Sequence, residues 1–224
     1  MSHGDDIAYV PPQTIDRVQT SRGELVLRRP GEQFEIISNG VFLMDTSDGT
    51  SERLLIDAAV ERSPAAAPRL LIGGLGVGFS LERAIGYPRL AAIDVVEIEP
   101  TIIRWHEQHL GAITADAIRD PRVSVHEANA IDWLARSPSR YDIVCLDTDN
   151  GPNWLVFDAN AGLYDASGLD LAHASLRNDG VLAVWSASRD VDFEERVRNR
   201  FGNLDVLETP QDRGAPDVVY IAQR

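Results

Sequence analysis

The segment RLLIGGLGVG, residues 69–78, constrains this chain more than any other. A short apolar run enters a turn with glycine at positions 74, 76 and 78, and a helical pattern opens at Phe79. Glycine has no Cβ, so it adopts positive φ freely and lets a ligand approach the backbone. A strand that turns through spaced glycines into a helix suits a nucleotide cofactor, although the same glycines can serve simply to end a strand tightly. Residues at fixed distances downstream of the turn decide between these readings.

The remainder of the chain alternates. From Arg69 onward the apolar runs RLLI, AAIDVVE, RVSVHEA, YDIVCLD and VLAVWS are interleaved with helical patterns beginning near Phe79, Pro100 and Ala130, and with one from about Ser167 to Leu176. This predicts a doubly wound, mostly parallel, Rossmann-like α/β sheet covered on both faces. Phe193, Val197 and Phe201 fall at i, i+4 and i+8 before Gly202, which predicts a last helix. LDVLET and DVVYIAQ then read as an antiparallel finish.

The N-terminal part has a different texture. IDRVQT, ELVLRR, FEIIS and VFLM are short runs separated by turn residues, the last two by Asn39-Gly40, a pair suited to the two positive φ values of a tight hairpin. They predict a small antiparallel β appendage, followed by an entry helix capped at Thr50 or Ser51 and running to about Val60. The expected organisation is a loose segment 1–13, an appendage with its entry helix 14–62, and a nucleoside-binding α/β domain 69–224, with Ser63–Pro68 as linker.

Composition narrows the function classes. The chain has 224 residues, 44% hydrophobic and 25% charged, and no apolar run long enough to cross a bilayer; its first residues lack signal-peptide character, so the expectation is a cytoplasmic protein away from membranes. Its 21 Lys and Arg against 35 Asp and Glu give a net charge of -14, the wrong sign for a nucleic-acid surface. Such acidity suits a cationic substrate, and equally serves solubility. The single cysteine, Cys145, lies inside an apolar run and reads as a small buried hydrophobe.

In a doubly wound sheet, ligands bind beyond the carboxyl ends of the strands where the strand order reverses. Glu97 ends the second run, about twenty residues after the glycine turn, the placement of a carboxylate that holds ribose hydroxyls; a strand-end cap or ion-pair partner is the alternative. Ile98 beside it offers an apolar surface for a flat base. Asn129, at the end of the third run, carries an amide able to donate and accept at an adenine edge; Ile98 and Asn129 are each also readable as filler. The fourth run ends in Asp147-Thr148-Asp149-Asn150-Gly151-Pro152. Asp147 closes an apolar run, where a carboxylate costs free energy unless it is bonded or used, and is the first catalytic candidate. Asp149 is the second, with an ordinary Asx turn as its alternative. His106 and His109 lack a third ligand at a recognisable spacing and read as a solvated helix face, so no metal is expected. Trp154 reads as packing or as a roof over the acidic loop.

The order GGLGVG, VVEIEP, HEANA and YDIVCLDTDNGP resembles the class I methyltransferase fold, specifically its spermidine synthase (polyamine aminopropyltransferase) branch. Gly40–Asp45 followed by Ser51-Glu52-Arg53 is similar to the end of that family's β domain and its entry helix. The resemblance implies that Gly74, Gly76 and Gly78 line a nucleoside-sulfonium pocket, Glu97 holds ribose, Asn129 and Ala130 meet adenine, and Asp147 is the base. The implied cofactor is S-adenosylmethionine or its decarboxylated form and the implied assembly a homodimer, while the identity of the small-molecule acceptor, an amine or other cation among the candidates, stays open. The chain departs from the pattern at Gly76, where the family places an acid, and at Leu54–Ala59, where the family has polar substrate-facing groups. Two functions are consistent with this pattern: an alkyl transferase moving an aminopropyl or methyl group, or a non-catalytic homologue serving as a nucleoside-binding or dimerisation module.

Overall fold

The structure, a computed structural model, describes residues 11–148, 150–155, 160–211 and 214–224. It divides into two compact units between Asp48 and Gly49. The first is a four-stranded antiparallel meander of β1 (Gln13–Thr20), β2 (Gly23–Arg29), β3 (Glu35–Ser38) and β4 (Val41–Asp45) in sequential order. Asn39 and Gly40 have φ of 51° and 79°, the mirror-image turn that matches strand twist. Leu25, Leu27 and Ile36 form this unit's buried side.

The second unit carries a seven-stranded sheet in the order β10-β11-β9-β8-β5-β6-β7. Its strands are β5 (Arg69–Gly73), β6 (Ala92–Glu97), β7 (Val123–Glu127), β8 (Tyr141–Leu146), β9 (Leu176–Ser186), β10 (Asp205–Thr209) and β11 (Asp217–Gln223). β5 pairs in parallel with both β6 and β8, so the chain winds outward on one side of β5 and returns on the other. The point of reversal lies between β5 and β8. β11 inserts antiparallel between β9 and β10, which brings its first residue to the edge where the parallel strands end.

The apolar runs become strands because both faces of the sheet are covered, so alternation is not needed. Leu70, Leu71, Ile72, Ile93, Val95, Val96, Ile143 and Val144 are all 2% exposed or less. Each such side chain gains about 1.5–3 kcal/mol from burial, which is what holds the central strands together. The helices are α1 (Thr50–Arg62), α2 (Phe79–Ile85), α3 (Pro100–Trp105), α4 (Ala130–Ala135), α5 (Ala161–Tyr164), α6 (Ala166–Ser175) and α7 (Val191–Phe201). α7 starts on Asp190, whose side chain accepts from Phe193 N, and ends on left-handed Gly202. α1 begins after Gly49 without a side-chain cap, so neither Thr50 nor Ser51 serves as the cap the sequence suggests. Ser51 is buried and used elsewhere.

No described helix is long and apolar enough to cross a membrane. Cys145 is fully buried, and burial pushes its thiol up, which makes it a packing residue.

Candidate active site

The strand ends bring the expected residues to one edge. Gly73 stands beside Leu146 and Val96 in the parallel pairings, and Glu97 beside Glu127. The ladder continues into the loops: Asp147 N donates to Gly73 O at 2.7 Å, and Gly74 N to Val96 O at 2.9 Å. The glycine turn and Asp147 are therefore neighbours across the reversal point. A Cβ on Gly74, whose φ is 92°, would lie 1.9 Å from the Asp147 carbonyl oxygen. This glycine is demanded by the packing of the two loops, before any ligand is considered.

Glu97 is 5% exposed and faces the turn. Its Oε2 accepts from Leu75 N at 2.9 Å and its Oε1 from Glu99 N at 2.8 Å. Burial pushes its carboxyl above the usual range, while backbone N–H groups of Glu99, Leu75 and Ile98 pull it back. A carboxylate has about four acceptor sites, so with three backbone N–H groups bonded to it Glu97 keeps one for a ligand such as a ribose hydroxyl. Glu97 is thus both a fastener of the glycine turn and a group that fits a nucleoside. Ile98 beside it is half-buried.

Asn129 caps α4: its Oδ1 accepts from Ile131 N at 2.8 Å and Asp132 N at 3.3 Å. With both lone pairs committed, the side chain offers a ligand its Nδ2 donor alone, rather than the two-way pattern expected from its amide. Ala130 follows as the first helical residue, where a backbone N–H has no partner within the helix.

Asp147 is half-buried and takes a 2.7 Å hydrogen bond from Ser80 Oγ at the start of α2. Two further carboxylates stand nearby that the sequence did not single out. Glu52, in the first turn of α1, and Asp217, the first residue of β11, flank the buried Ser51 hydroxyl, which lies 3.0 Å from Glu52 Oε2 and 2.7 Å from Asp217 Oδ2. Trp185 Nε1 donates to the same hydroxyl at 2.9 Å. Ser51 has one proton for two acid neighbours, so both contacts are satisfied when Glu52 carries a proton of its own. Burial, then the charge of Asp147, raises Glu52 to about 7. Burial raises Asp147 to about 6 against the pull of Ser80, with the charge of Asp217 adding to it. Neither Glu52 nor Asp147 forms an ion pair with a described residue. Among the described residues, no group of three His, Cys, Asp or Glu side chains is placed to hold a metal ion.

Asp149 lies outside the described residues. Trp154 is 57% exposed. The reading of His106 as part of a solvated helix face is wrong: it is 1% exposed, with Nε2 at 2.9 Å from Gly76 O. The signal was available, since His106 is four residues after Ile102 and shares its buried stripe. Leu55, Ile56, Ala59 and Val60 of α1 are core residues. Asp57 meets Tyr87 Oη at 2.7 Å and pairs with Arg83, so this stretch of the helix is spent on packing.

The geometry has relatives. A family model described as the spermine/spermidine synthase domain matches residues 52–197, well over half of the chain. The chain is 23% identical over 190 residues to polyamine aminopropyltransferase 2 of Ralstonia nicotianae, covering 84% of this chain and 36% of that protein. It is 28% identical over 154 residues to polyamine aminopropyltransferase of Prochlorococcus marinus strain MIT 9313, covering 65% and 51%. The chain thus spans between about a third and a half of these relatives' lengths. A spermidine synthase crystallised with the transition-state analogue AdoDATO superposes with a TM-score of 0.80 at 16% identity, covering 94% of this chain and 73% of that one. The Thermotoga maritima spermidine synthase superposes at 0.78, also at 16% identity, over 94% and 72%. These two likenesses establish the fold, the sequence match extends across the glycine turn, Glu97 and Asp147, and the chain belongs to the spermine/spermidine synthase family.

Proposed function

We propose that this chain is an aminopropyltransferase that binds decarboxylated S-adenosylmethionine and transfers its aminopropyl group to a small amine. The observation that carries the proposal is Asp147: a carboxylate raised by burial, beside the glycine turn at the reversal point, without a cationic partner among the described residues. Glu52 and Asp217 extend the negative edge. Such an edge repels the carboxylate of intact S-adenosylmethionine and attracts ammonium groups, which favours the decarboxylated cofactor and a polyamine-like acceptor. Acids spread along an edge suit ammonium groups separated along a flexible chain better than a single metal ion.

In this reading Gly74, Gly76 and Gly78 admit the nucleoside, Glu97 takes a ribose hydroxyl, Ile98 packs on the base, and Asn129 Nδ2 with the Ala130 N–H meets the adenine edge. When bound, the cofactor supplies a carbon activated by a positively charged sulfur. An amine attacks with its lone pair, the carbon–sulfur bond breaks with its electrons passing to sulfur, and a thioether leaves. An ammonium has no lone pair, so Asp147 must take its proton. A carboxylate near 6 is a stronger base than an ordinary aspartate and is ionised at pH 8. Ser80 holds the Asp147 carboxylate in place for that transfer. The acid missing at position 76 is compensated by Glu52, which approaches the same edge from α1.

The test is incubation with decarboxylated S-adenosylmethionine and a panel of primary diamines and triamines, with mass spectrometry of both products. Methylthioadenosine appearing in step with an amine one aminopropyl unit heavier supports the proposal. Cofactor left intact with every amine, while the protein remains folded, refutes it. The family resemblance also carries a homodimer, which sedimentation at micromolar concentration checks.

A further inference from the structure

The glycine turn is fastened on two sides. On one, Leu75 N donates to Glu97; on the other, the Gly76 carbonyl meets His106. At His106 helix α3 passes into a π turn, His106–Leu110, a form of helix common at functional sites. Its wider turn lets Trp105, His106 and Leu110 all face inward. A carbonyl accepts and never donates, so the Nε2 at 2.9 Å from Gly76 O carries the proton. The ring fits closely as well: a Cβ on Gly78 would stand 2.5 Å from His106 Cε1 and 2.9 Å from Thr114 Cγ2.

The consequence lies in the next peptide. Gly74, Gly76 and Gly78 have φ of 92°, 50° and 96°, a backbone path that needs external bonds to stay in one conformation. A trans peptide points its C=O and N–H in opposite directions. The bond to His106 therefore turns the Val77 N–H away from the π turn. We propose that His106 is a positioning residue that locks the 76–77 peptide so that the Val77 N–H is presented to an oxygen or nitrogen acceptor of the bound nucleoside. This rests on the nucleoside-binding reading of the turn. Burial lowers the imidazole below its ordinary range, which keeps it neutral with a single fixed donor.

Three measurements on the full chain test this. Nitrogen-15 spectra of the His106 ring at pH 7 should show a neutral imidazole protonated at Nε2; a charged ring or the other tautomer overturns the clamp. His106→Leu, which removes the donor, should weaken methylthioadenosine binding about tenfold and speed amide exchange at Val77, whereas His106→Gln, whose amide can donate from a similar position, should stay within about threefold of the parent. Measurements are made well below the melting temperature of each variant, so general destabilisation does not enter. Equal affinities and Val77 exchange in the parent and the leucine variant overturn the proposal, as does a glutamine variant that is folded yet as impaired as the leucine one. If the leucine variant does not fold, the tautomer and the glutamine variant decide. If the parent itself binds no nucleoside, the functional reading fails, while the tautomer and Val77 exchange still judge the clamp.

Discussion

Asp147→Asn separates function from stability because the structure assigns the acid a folding cost. Its carboxyl is raised from 3.8 to about 6, so the native state holds more protons than the unfolded chain between those values. Stability contributed through this group is highest below the unfolded value and falls as pH rises through the native one. At pH 8 the ionised acid costs about 3 kcal/mol relative to an unperturbed carboxylate, and at pH 4 about 0.6 kcal/mol. Asparagine keeps the shape and an oxygen to accept the Ser80 hydroxyl, and carries no charge for Glu52 or Asp217 to repel. The variant should therefore be more stable than the parent at pH 8, by about 1–3 kcal/mol or several degrees in Tm, and nearly equal to it at pH 4. Urea unfolding at both pH values measures the difference, and aminopropyl transfer should be lost with nucleoside binding retained. A variant no more stable at pH 8 than at pH 4, relative to the parent, would refute the account of Asp147 as a strained, unneutralised acid.

Other substitutions probe the supports of the edge. Gly74→Ala places a Cβ against the Asp147 carbonyl at a positive φ and should cost at least about 3 kcal/mol, seen as a lowered melting temperature. Ser51→Ala leaves the Trp185 N–H and an Asp217 oxygen without the shared hydroxyl, and should cost about 1–3 kcal/mol in urea unfolding at pH 7. Glu97→Ala should weaken methylthioadenosine binding at least about tenfold, or 1.4 kcal/mol, by calorimetry; unchanged affinity removes Glu97 from the ribose role.

The sheet was legible because its central strands are continuous apolar runs bounded by glycine and helix signals, and because Asn39-Gly40 permits one kind of turn. Glu97 and Asp147 could be placed as strand-end residues from the same pattern. Glu52 and Asp217 could not, since their meeting depends on tertiary arrangement: α1 crosses β8, β9 and β11, and β11 runs against its neighbour, so its first residue reaches the edge where the others finish. Local sequence also misjudged hydroxyl and imidazole groups. Ser51 looked like a cap and instead bridges two acids; His106 looked exposed and instead holds the glycine turn. Asn129 falls just after β7, at the start of α4, and helix capping takes its oxygen. Ser51 and His106 have partners distant in sequence, Asp217 with Trp185 and Gly76, that spacing along the chain does not reveal.

The proposed function rests on a nucleoside pocket beside an acidic edge selective for ammonium. Its most direct test is calorimetric titration at pH 8 with decarboxylated S-adenosylmethionine and, in parallel, intact S-adenosylmethionine. The account predicts saturable binding of the decarboxylated form below about 1 mM, at least about tenfold tighter than the intact form. Binding of neither form at millimolar concentration would contradict the pocket, and tighter binding of the intact form would contradict the acidic edge.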